Sequence, residues 1–305
     1  MAPCARVRYG LAAALLAFML AASGLAPAAG LWTENATEAL AQAAKEKKDL
    51  LIDFTGSDWC GWCIRLDREV FSQPAFVAQA PKQFVFLKID FPRSTPQSEE
   101  LKKQNQEWQA KYPVRGYPTI VLADGAGKPY AATGYRAGGA EAYLKHLDEF
   151  RKAREKRDAA VAKARSAEGI EKAKLLDQGL SALDPALVTT SYGDVIEEIV
   201  KLDPENKAGL KTKYAAIALM NQIGSALREK QFDQAISLAD EALKSLGDTG
   251  QPAQDIGFMK AMALNSKKDK TGAKKALDAA LKAAPEGSKA PQIKAVLERF
   301  FKDTE

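Results

Sequence analysis

Residues 50–71 read LLIDFTGSDWCGWCIRLDREVF. The first five residues are apolar except Asp53, which is typical of a buried strand. From Cys60 onward, Leu66 and Val70 recur at helical spacing on one side. This pattern predicts a strand that ends shortly before Cys60 and a helix that begins there.

The two cysteines of this stretch, Cys60 and Cys63, are one helical turn apart. A thiol at a helix N-terminus faces unpaired backbone N–H groups and the positive end of the helix dipole, and both lower its pKa. We therefore expect Cys60 to be a nucleophile. Cys63, on the same face, could attack a mixed disulfide formed at Cys60 and release the bound partner.

Two other uses of such a cysteine pair are a zinc site and a purely structural disulfide. Zinc needs about four ligands, whereas the only other cysteine and the only histidine are Cys4 and His146. A bridge that closes so short a loop restricts the unfolded chain little. Both alternatives stay open, but the pattern favours a redox-active pair that works without a metal and without a cofactor.

The first thirty residues have the organisation of a secretory signal peptide. Arg6 and Arg8 precede an apolar run over residues 11–22, and the small-residue string APAAG follows at residues 26–30. The sequence therefore predicts a periplasmic or secreted protein. The alternative is an uncleaved anchor in the inner membrane. In both cases the positive N-terminus stays inside and the remainder lies outside the cytoplasm.

The composition fits a globular protein. At 305 residues, 46% of them hydrophobic and 27% charged, the chain can form two domains. Its net charge is +5, or +3 without the two arginines of the leader, and this balance indicates no nucleic-acid partner. Loss of the leader also removes Cys4, so that no third thiol could mispair in an oxidising compartment.

Patterns along residues 31–150 predict an α/β domain. We expect helices over residues 35–47, 99–111 and from about 139 onward, a short turn at 74–77, and strands at 50–54, 84–89, 118–122 and up to 133. Pro118 opens one strand, a position that proline tolerates at the edge of a sheet. The highly charged residues 151–168 indicate a solvated helical connector between two domains.

Residues 169–305 have helical periodicity and no convincing strand pattern, which predicts an all-α domain. Two segments match at an offset of 38 residues, with Ala235 matching Ala273 and Ala242 matching Ala280. Small residues at these positions let helices pack closely, so we expect stacked hairpins resembling tetratricopeptide repeats. The alternative is an irregular helical bundle with no binding groove.

Two motifs that lie far apart in the sequence resemble those of the thioredoxin superfamily. They are WCGWC at residues 59–63 and GYPT at residues 116–119. The segments FTGSD at 54–58 and VFSQP at 70–74 are similar to secreted bacterial thioredoxin-like domains, including the periplasmic C-terminal domain of the membrane thiol–disulfide reductase. The resemblance implies a thioredoxin fold over residues 31–150, followed by the all-α region.

The resemblance also implies roles for residues around the cysteines. Pro118 matches the cis-proline of the family, which lies beside the cysteines and lets the backbone of Tyr117 pair with an extended substrate; an ordinary trans-proline is the alternative. Trp59 matches the aromatic residue that shields the site. Trp62 stands where many thioredoxins have proline, and Arg68 stands where they have a helix-kinking proline.

Two carboxylates match acidic residues of the family. Asp53 matches the acid beneath the active site, to which the proton of the resolving thiol is thought to pass, a role that suits a carboxylate whose pKa burial has raised. Asp67 lies one helical turn beyond Cys63 and matches a second carboxylate of the reductase-like domains. A solvated helix face is an equally good interpretation of Asp67.

These features favour an extracytoplasmic thiol–disulfide oxidoreductase, more a reductase than an oxidase or isomerase. Its expected partners are protein disulfide substrates, a redox partner that the sequence does not identify, and a protein that binds the C-terminal helices. The competing hypothesis is a helical-repeat interaction or chaperone-like protein whose thioredoxin-like part mainly binds clients.

Overall fold

Strand β2, Asp49–Thr55, is buried along its whole length and lies in the middle of the sheet. The computed structural model describes residues 30–112 and 114–301. The predicted signal peptide, apart from Gly30, therefore lies outside the described residues. Within those ranges, no helix combines the length and the apolar character needed to span a bilayer.

Four further strands complete one mixed sheet: β1 (Trp32–Thr33), β3 (Phe84–Asp90), β4 (Thr119–Ala123) and β5 (Pro129–Thr133). Their order is β1-β3-β2-β4-β5. β1, β3 and β2 run parallel to one another, and β4 and β5 add antiparallel pairs. The sequence analysis missed β1, because a strand of two residues has too little periodicity to detect.

The strand after Pro118 is not an edge strand, contrary to the expectation from the sequence. β4 begins at Thr119 and lies between β2 and β5. Because Pro118 precedes the first paired residue, the sheet requires no N–H group from it. The peptide bond between Tyr117 and Pro118 is cis.

Five helices accompany the sheet: α1 (Ala36–Glu46), α2 (Gly61–Leu66), α3 (Pro74–Gln79), α4 (Glu99–Lys111) and α5 (Gly139–Ala164). The Asn35 side chain caps α1 by accepting from two backbone N–H groups, and Ser98 caps α4. The expected bounds of α4 are confirmed. Residues 74–77, expected as a turn, belong to the short helix α3.

Side chains of β2 alternate between two cores. Leu50, Ile52 and Phe54 pack on the side of α1 and α4. Leu51 packs on the opposite side, together with Leu66 at the end of α2. Asp53 shares the side of Leu51, so the strand directs this carboxylate toward the layer that contains α2.

Residues 169–301 form eight further helices: α6 (Gly169–Ser181), α7 (Pro185–Ser191), α8 (Gly193–Leu202), α9 (Leu210–Arg228), α10 (Phe232–Leu246), α11 (Gly250–Ser266), α12 (Lys270–Ala283) and α13 (Ala290–Phe300). The predicted fold class, a thioredoxin fold followed by an all-α region, is confirmed. The matched alanines, Ala235, Ala242, Ala273 and Ala280, are all buried.

One face of the charged end of α5 is buried, whereas a fully solvated helix was expected for residues 151–168. Arg157, Ala160 and Ala164 are buried, and this end of α5 packs against α6. The buried guanidinium of Arg157 forms an ion pair with Asp124 and a hydrogen bond with Tyr192, and the charge pattern of the segment does not reveal these partners from other elements. The division into residues 31–150, 151–168 and 169–305 stays a prediction.

Candidate active site

Cys60 is the residue that immediately precedes α2, and it forms a disulfide with Cys63. The Cys63 backbone N–H donates a hydrogen bond to Cys60 Sγ over 3.2 Å. Both residues are largely buried, with 6% and 5% of their surface exposed. A backbone N–H group and the start of a helix therefore face the Cys60 sulfur, and this environment favours a thiolate in the reduced protein.

The helix that carries Cys63 is short and ends in a π-helical turn, Asp67–Phe71. The Ser72 N–H donates to the Asp67 carbonyl oxygen over 2.8 Å, and the Ser72 hydroxyl donates to the Asp67 carboxylate over 3.0 Å. Thioredoxin-like sequences with proline at the position of Arg68 bend the helix there. In this chain the wider turn interrupts the α-helix without a proline.

Trp59 is held against the loop that contains the cis-proline. Its indole N–H donates to the Phe91 carbonyl oxygen over 2.8 Å, and its ring meets the Tyr117 ring edge-on with centroids 5.8 Å apart. The Arg93 guanidinium lies 4.0 Å from the centroid of the Trp59 ring. Trp59, the residue before Cys60, therefore contacts the loop that carries the cis-proline.

Gly56 leaves the space that Trp59 occupies. A Cβ atom at Gly56 would lie 2.5 Å from the Trp59 ring, so a side chain at this position would displace the indole. Asp58, on the same loop, accepts hydrogen bonds from the backbone N–H groups of Arg93, Ser94 and Thr95. These bonds lower the pKa of Asp58 and fix the segment that carries Arg93 over Trp59.

The loop before β4 is supported by two hydrogen bonds. The Thr119 hydroxyl donates to the Gly116 carbonyl oxygen over 2.7 Å, and Gln109 of α4 donates to the Tyr117 hydroxyl over 2.6 Å. Tyr117 and Pro118 are only half-buried. The loop is therefore firmly held and partly accessible, which is what an extended peptide would need in order to pair with it.

Trp62, between the two cysteines, has 56% of its surface exposed. Its ring packs against Tyr135 with centroids 5.1 Å apart, and the Arg65 guanidinium lies over both rings. Glu69 accepts hydrogen bonds from Arg65 (2.8 Å) and from the Tyr135 hydroxyl (2.7 Å). We call Trp62, Arg65, Glu69 and Tyr135 the aromatic platform.

Sequence reasoning identified only Trp62 among the platform residues. The spacing of Arg65 and Glu69, four residues apart, was a readable signal for an ion pair on one helix face. Tyr135 had no such signal, because it lies after β5, far from Trp62 in the sequence, and only folding of the chain brings the two rings together. Arg93 was missed for the same reason.

Asp53 is a buried acid with 6% of its surface exposed. Burial raises its pKa to about 7; Lys88 opposes this effect, and the nearby charges of Asp90 and Asp67 reinforce it. One of its carboxylate oxygens, Oδ1, is buried without a hydrogen-bond partner among the described residues. A carboxyl group with such a pKa can both accept and release a proton near neutral pH.

Asp67 is exposed and lines a cleft of about 660 Å³ together with Lys88, Trp32, Phe71 and Ser72. Its charge contributes to the raised pKa of Asp53. The carboxylate therefore lies on a solvated face and acts electrostatically on the buried acid.

Comparison with known proteins agrees with this geometry. A family model described as thioredoxin-like matches residues 31–125. The chain is 36% identical over 127 residues to the disulfide bond reductase DsbH of Chlamydia pneumoniae, an overlap that covers 42% of this chain and 76% of DsbH. The chain belongs to the thioredoxin-like family. With the cysteine pair in a thioredoxin fold, it is a thiol–disulfide oxidoreductase.

Two further comparisons each cover less than half of the chain. The chain is 35% identical over 120 residues to the thiol:disulfide interchange protein DsbD of Vibrio vulnificus, which is 38% of this chain but only 18% of DsbD. A solved structure of DsbH oxidoreductase has 35% sequence identity and a TM-score of 0.38, and the match covers 39% of this chain and 83% of that one.

Proposed function

We propose that the chain reduces disulfide bonds of proteins outside the cytoplasm, with Cys60 as nucleophile and Cys63 as resolving thiol. The observation that carries this proposal is the position of Cys60 directly before α2, where its sulfur accepts a hydrogen bond from the Cys63 N–H. Trp59, the residue before Cys60, packs against Tyr117, so the segment that carries Cys60 contacts the cis-proline loop.

The reaction has two thiol–disulfide exchange steps. The Cys60 thiolate attacks one sulfur of the client disulfide, so that a bond forms between Cys60 and the client while the client's other sulfur leaves as a thiolate. The Cys63 thiolate then attacks Cys60 Sγ, and the client departs with its second sulfur reduced. The enzyme ends as the Cys60–Cys63 disulfide, and a dithiol redox partner returns it to the reduced form.

Asp53 is proposed to accept the proton of Cys63 before the second step. It is buried on the α2 side of β2, and its pKa of about 7 suits proton transfer at neutral pH. Asp67 is proposed to act indirectly, because its charge helps to keep the pKa of Asp53 raised.

Client binding is proposed to involve Trp59, Trp62, Tyr117 and Pro118. The backbone at Tyr117 and Pro118 would pair with an extended client segment, and the exposed rings of Trp59 and Trp62 would cover its apolar side chains. The aromatic platform keeps Trp62 in one orientation, so that little side-chain entropy is lost on binding.

Reduction, rather than oxidation, is the proposed direction. The relative with 36% identity, of which this chain covers 76%, is a disulfide bond reductase. Location outside the cytoplasm is proposed from the leader, in which two arginines precede a long apolar run. An oxidising compartment suits a chain whose cysteines beyond the leader are Cys60 and Cys63 alone.

The C-terminal helices are proposed to form hairpins that resemble tetratricopeptide repeats. The turns before α10 and α12 share one backbone geometry: Lys230 and Lys268, 38 residues apart, have positive φ angles of 59° and 66°. The next residues, Gln231 and Asp269, each donate a backbone hydrogen bond to a carbonyl five residues earlier. The repeated turn supports a repeated unit.

A cysteine-trapping experiment tests the proposed chemistry. Incubated with insulin, the reduced Cys63→Ser variant should retain insulin in a mixed disulfide that survives denaturation without reductant, whereas Cys60→Ser should retain none. The double variant Cys60→Ser/Cys63→Ser measures non-covalent binding. If Cys60→Ser also trapped insulin, the assigned nucleophile would be wrong. If the wild-type protein bound insulin as the double variant does but never reduced it, the client-binding alternative would be favoured.

A further inference from the structure

A cleft of about 480 Å³ lies between the loop that leads to the cis-proline and helices α7, α8 and α9. Arg115 lines it from the loop side, and Thr190, Tyr214, Asn221 and Arg228 line it from the helical side. Its volume is within the range of ligand pockets, roughly 300–1,000 Å³. Both halves of the chain therefore build this cleft.

The cleft adjoins the loop that carries the cis-proline. Arg115 is three residues before Pro118, and three residues span at most about 11 Å. A client segment that pairs with the backbone at Tyr117 could therefore enter the cleft within a few residues of the disulfide that Cys60 attacks.

The charge of the cleft is positive. Its lining includes two arginines and no acidic residue. Arg115 and Arg228 are exposed, and neither forms an ion pair in the part of the chain that the structure describes. Asp194, next to the cleft at the start of α8, is paired with Lys128 over 3.1 Å. The two guanidinium groups are thus available to an outside anion.

The position of the cleft is fixed by contacts between the two halves. Tyr192, which precedes α8, donates its hydroxyl to the Pro129 carbonyl oxygen of β5 over 2.7 Å and accepts from Arg157 over 2.7 Å. Arg157 also donates to Asp124 over 3.1 Å. Tyr192 and Arg157 are buried, and these hydrogen bonds hold the start of α8 against β5.

We propose that this cleft binds an acidic segment of the client polypeptide, a few residues from the disulfide under attack. This inference rests on the proposed reductase function and specifies its client: a protein whose reducible cysteine has aspartate or glutamate nearby in sequence. The helical half thereby acts as part of the client-binding site.

Binding of redox-inert peptides tests the cleft separately from the chemistry. Two fluorescent peptides each have serine in place of cysteine. One peptide carries three glutamates on both sides of this serine, and the other carries three glutamines on both sides. By anisotropy at low salt, the chain should bind the glutamate peptide about fivefold more tightly. The double variant Arg115→Glu/Arg228→Glu should abolish this preference, and salt near 150 mM should weaken it.

The control variant Lys152→Glu/Lys282→Glu changes the net charge equally, but its two sites lie outside the lining of the cleft. It should keep the preference for the glutamate peptide. If the control lost the preference to the same extent, or if Arg115→Glu/Arg228→Glu retained it, the proposal would be overturned. Should the double glutamate variant not fold, Arg115→Gln/Arg228→Gln should reduce the preference at least twofold, and an unchanged preference would equally overturn it.

Turnover of the same peptides as disulfides distinguishes failure of the cleft from failure of the function. Both proposals would be supported by two results. The wild-type kcat/KM should be higher for the glutamate peptide than for the glutamine peptide, and the ratio of these two kcat/KM values should be near one in Arg115→Glu/Arg228→Glu. Turnover with no preference and no arginine-dependent binding would overturn the cleft alone. Arginine-dependent binding without reduction of any disulfide would overturn the proposed function and leave the cleft as a peptide site.

Discussion

Asp53 and Lys88 occupy paired positions on β2 and β3, yet the pKa of Asp53 is raised to about 7. The Lys88 ammonium lies 5.8 Å from the centroid of the Trp32 ring, and Lys88 and Asp53 form no ion pair. Burial therefore outweighs the attraction of the lysine. The result is an uncharged acid at low pH and a buried charge at high pH, on the side of the sheet that faces α2.

Replacing Asp53 by asparagine should stabilise the oxidised protein in a pH-dependent manner. The pKa of Asp53 is about 7 in the folded protein and near 3.8 in the unfolded chain. Between pH 3.8 and pH 7 the native state therefore binds more protons than the unfolded state. The wild type consequently loses stability as the pH rises through this range. Asp53→Asn should gain about 2 kcal/mol at pH 5 and about 4 kcal/mol at pH 8.

Urea unfolding of the oxidised wild type and Asp53→Asn at several pH values would measure this difference. The exposed Asp148 provides a control, because Asp148→Asn should change stability by less than about 0.5 kcal/mol at every pH. A stability gain for Asp53→Asn that did not grow between pH 4 and pH 7 would show that Asp53 ionises as easily as an exposed acid.

The same substitution should slow release of the client from the mixed disulfide. Asparagine cannot accept the proton of Cys63, so the second step should fall about tenfold to a hundredfold near pH 7. The loss should shrink as the pH rises, because hydroxide then deprotonates the thiol. Stopped-flow measurement of the second client thiol, with Asp148→Asn as control, separates this step from the first. An equal loss in both steps would indicate a structural effect.

Trp62 should determine how well peptide clients bind. Trp62→Ala removes a half-exposed ring from the aromatic platform, and we expect a loss of about tenfold in kcat/KM for a peptide disulfide, mostly through KM. Reduction of hydroxyethyl disulfide, which is too small to cover the ring, should change less than twofold. Ile64→Ala, at a neighbouring exposed apolar residue, is the matched control and should affect neither substrate by more than about twofold.

Arg157 should be important for stability although it lies far from the cysteines in sequence. Its guanidinium is buried and binds Asp124, Asp158 and Tyr192. Arg157→Met would leave the Asp124 and Tyr192 groups without this partner, which should cost about 3 kcal/mol. Urea unfolding measures this loss, and Arg165→Met, at an exposed arginine of the same segment, should cost little. Equal effects of the two variants would contradict the assigned role of Arg157.

The sequence predicted the elements that local patterns determine. The strand before Cys60, the start of α2 and the limits of α4 follow from apolar spacing and helix-breaking residues. Resemblance to a family added the cis bond at Pro118. These features depend on residues that are neighbours in the chain.

Features that depend on distant residues were not predictable. The burial of Arg157 depends on Asp124 and Tyr192, 33 and 35 residues away, so its charge suggested a solvated helix. Tyr135 reaches Trp62 through the fold. The π-helical turn at Asp67–Phe71 also escaped prediction, because its residues have the same periodicity as an ordinary helix.

The central claim is that the fold activates the sulfur of Cys60. The most direct measurement is the rate of iodoacetamide alkylation of Cys60 in the reduced protein as a function of pH, with the modified residue identified by mass spectrometry. The account predicts a midpoint well below the pKa of a free cysteine, about 8.5, and slower, higher-pH alkylation of Cys63. A midpoint at or above the free-cysteine value for Cys60 would contradict it.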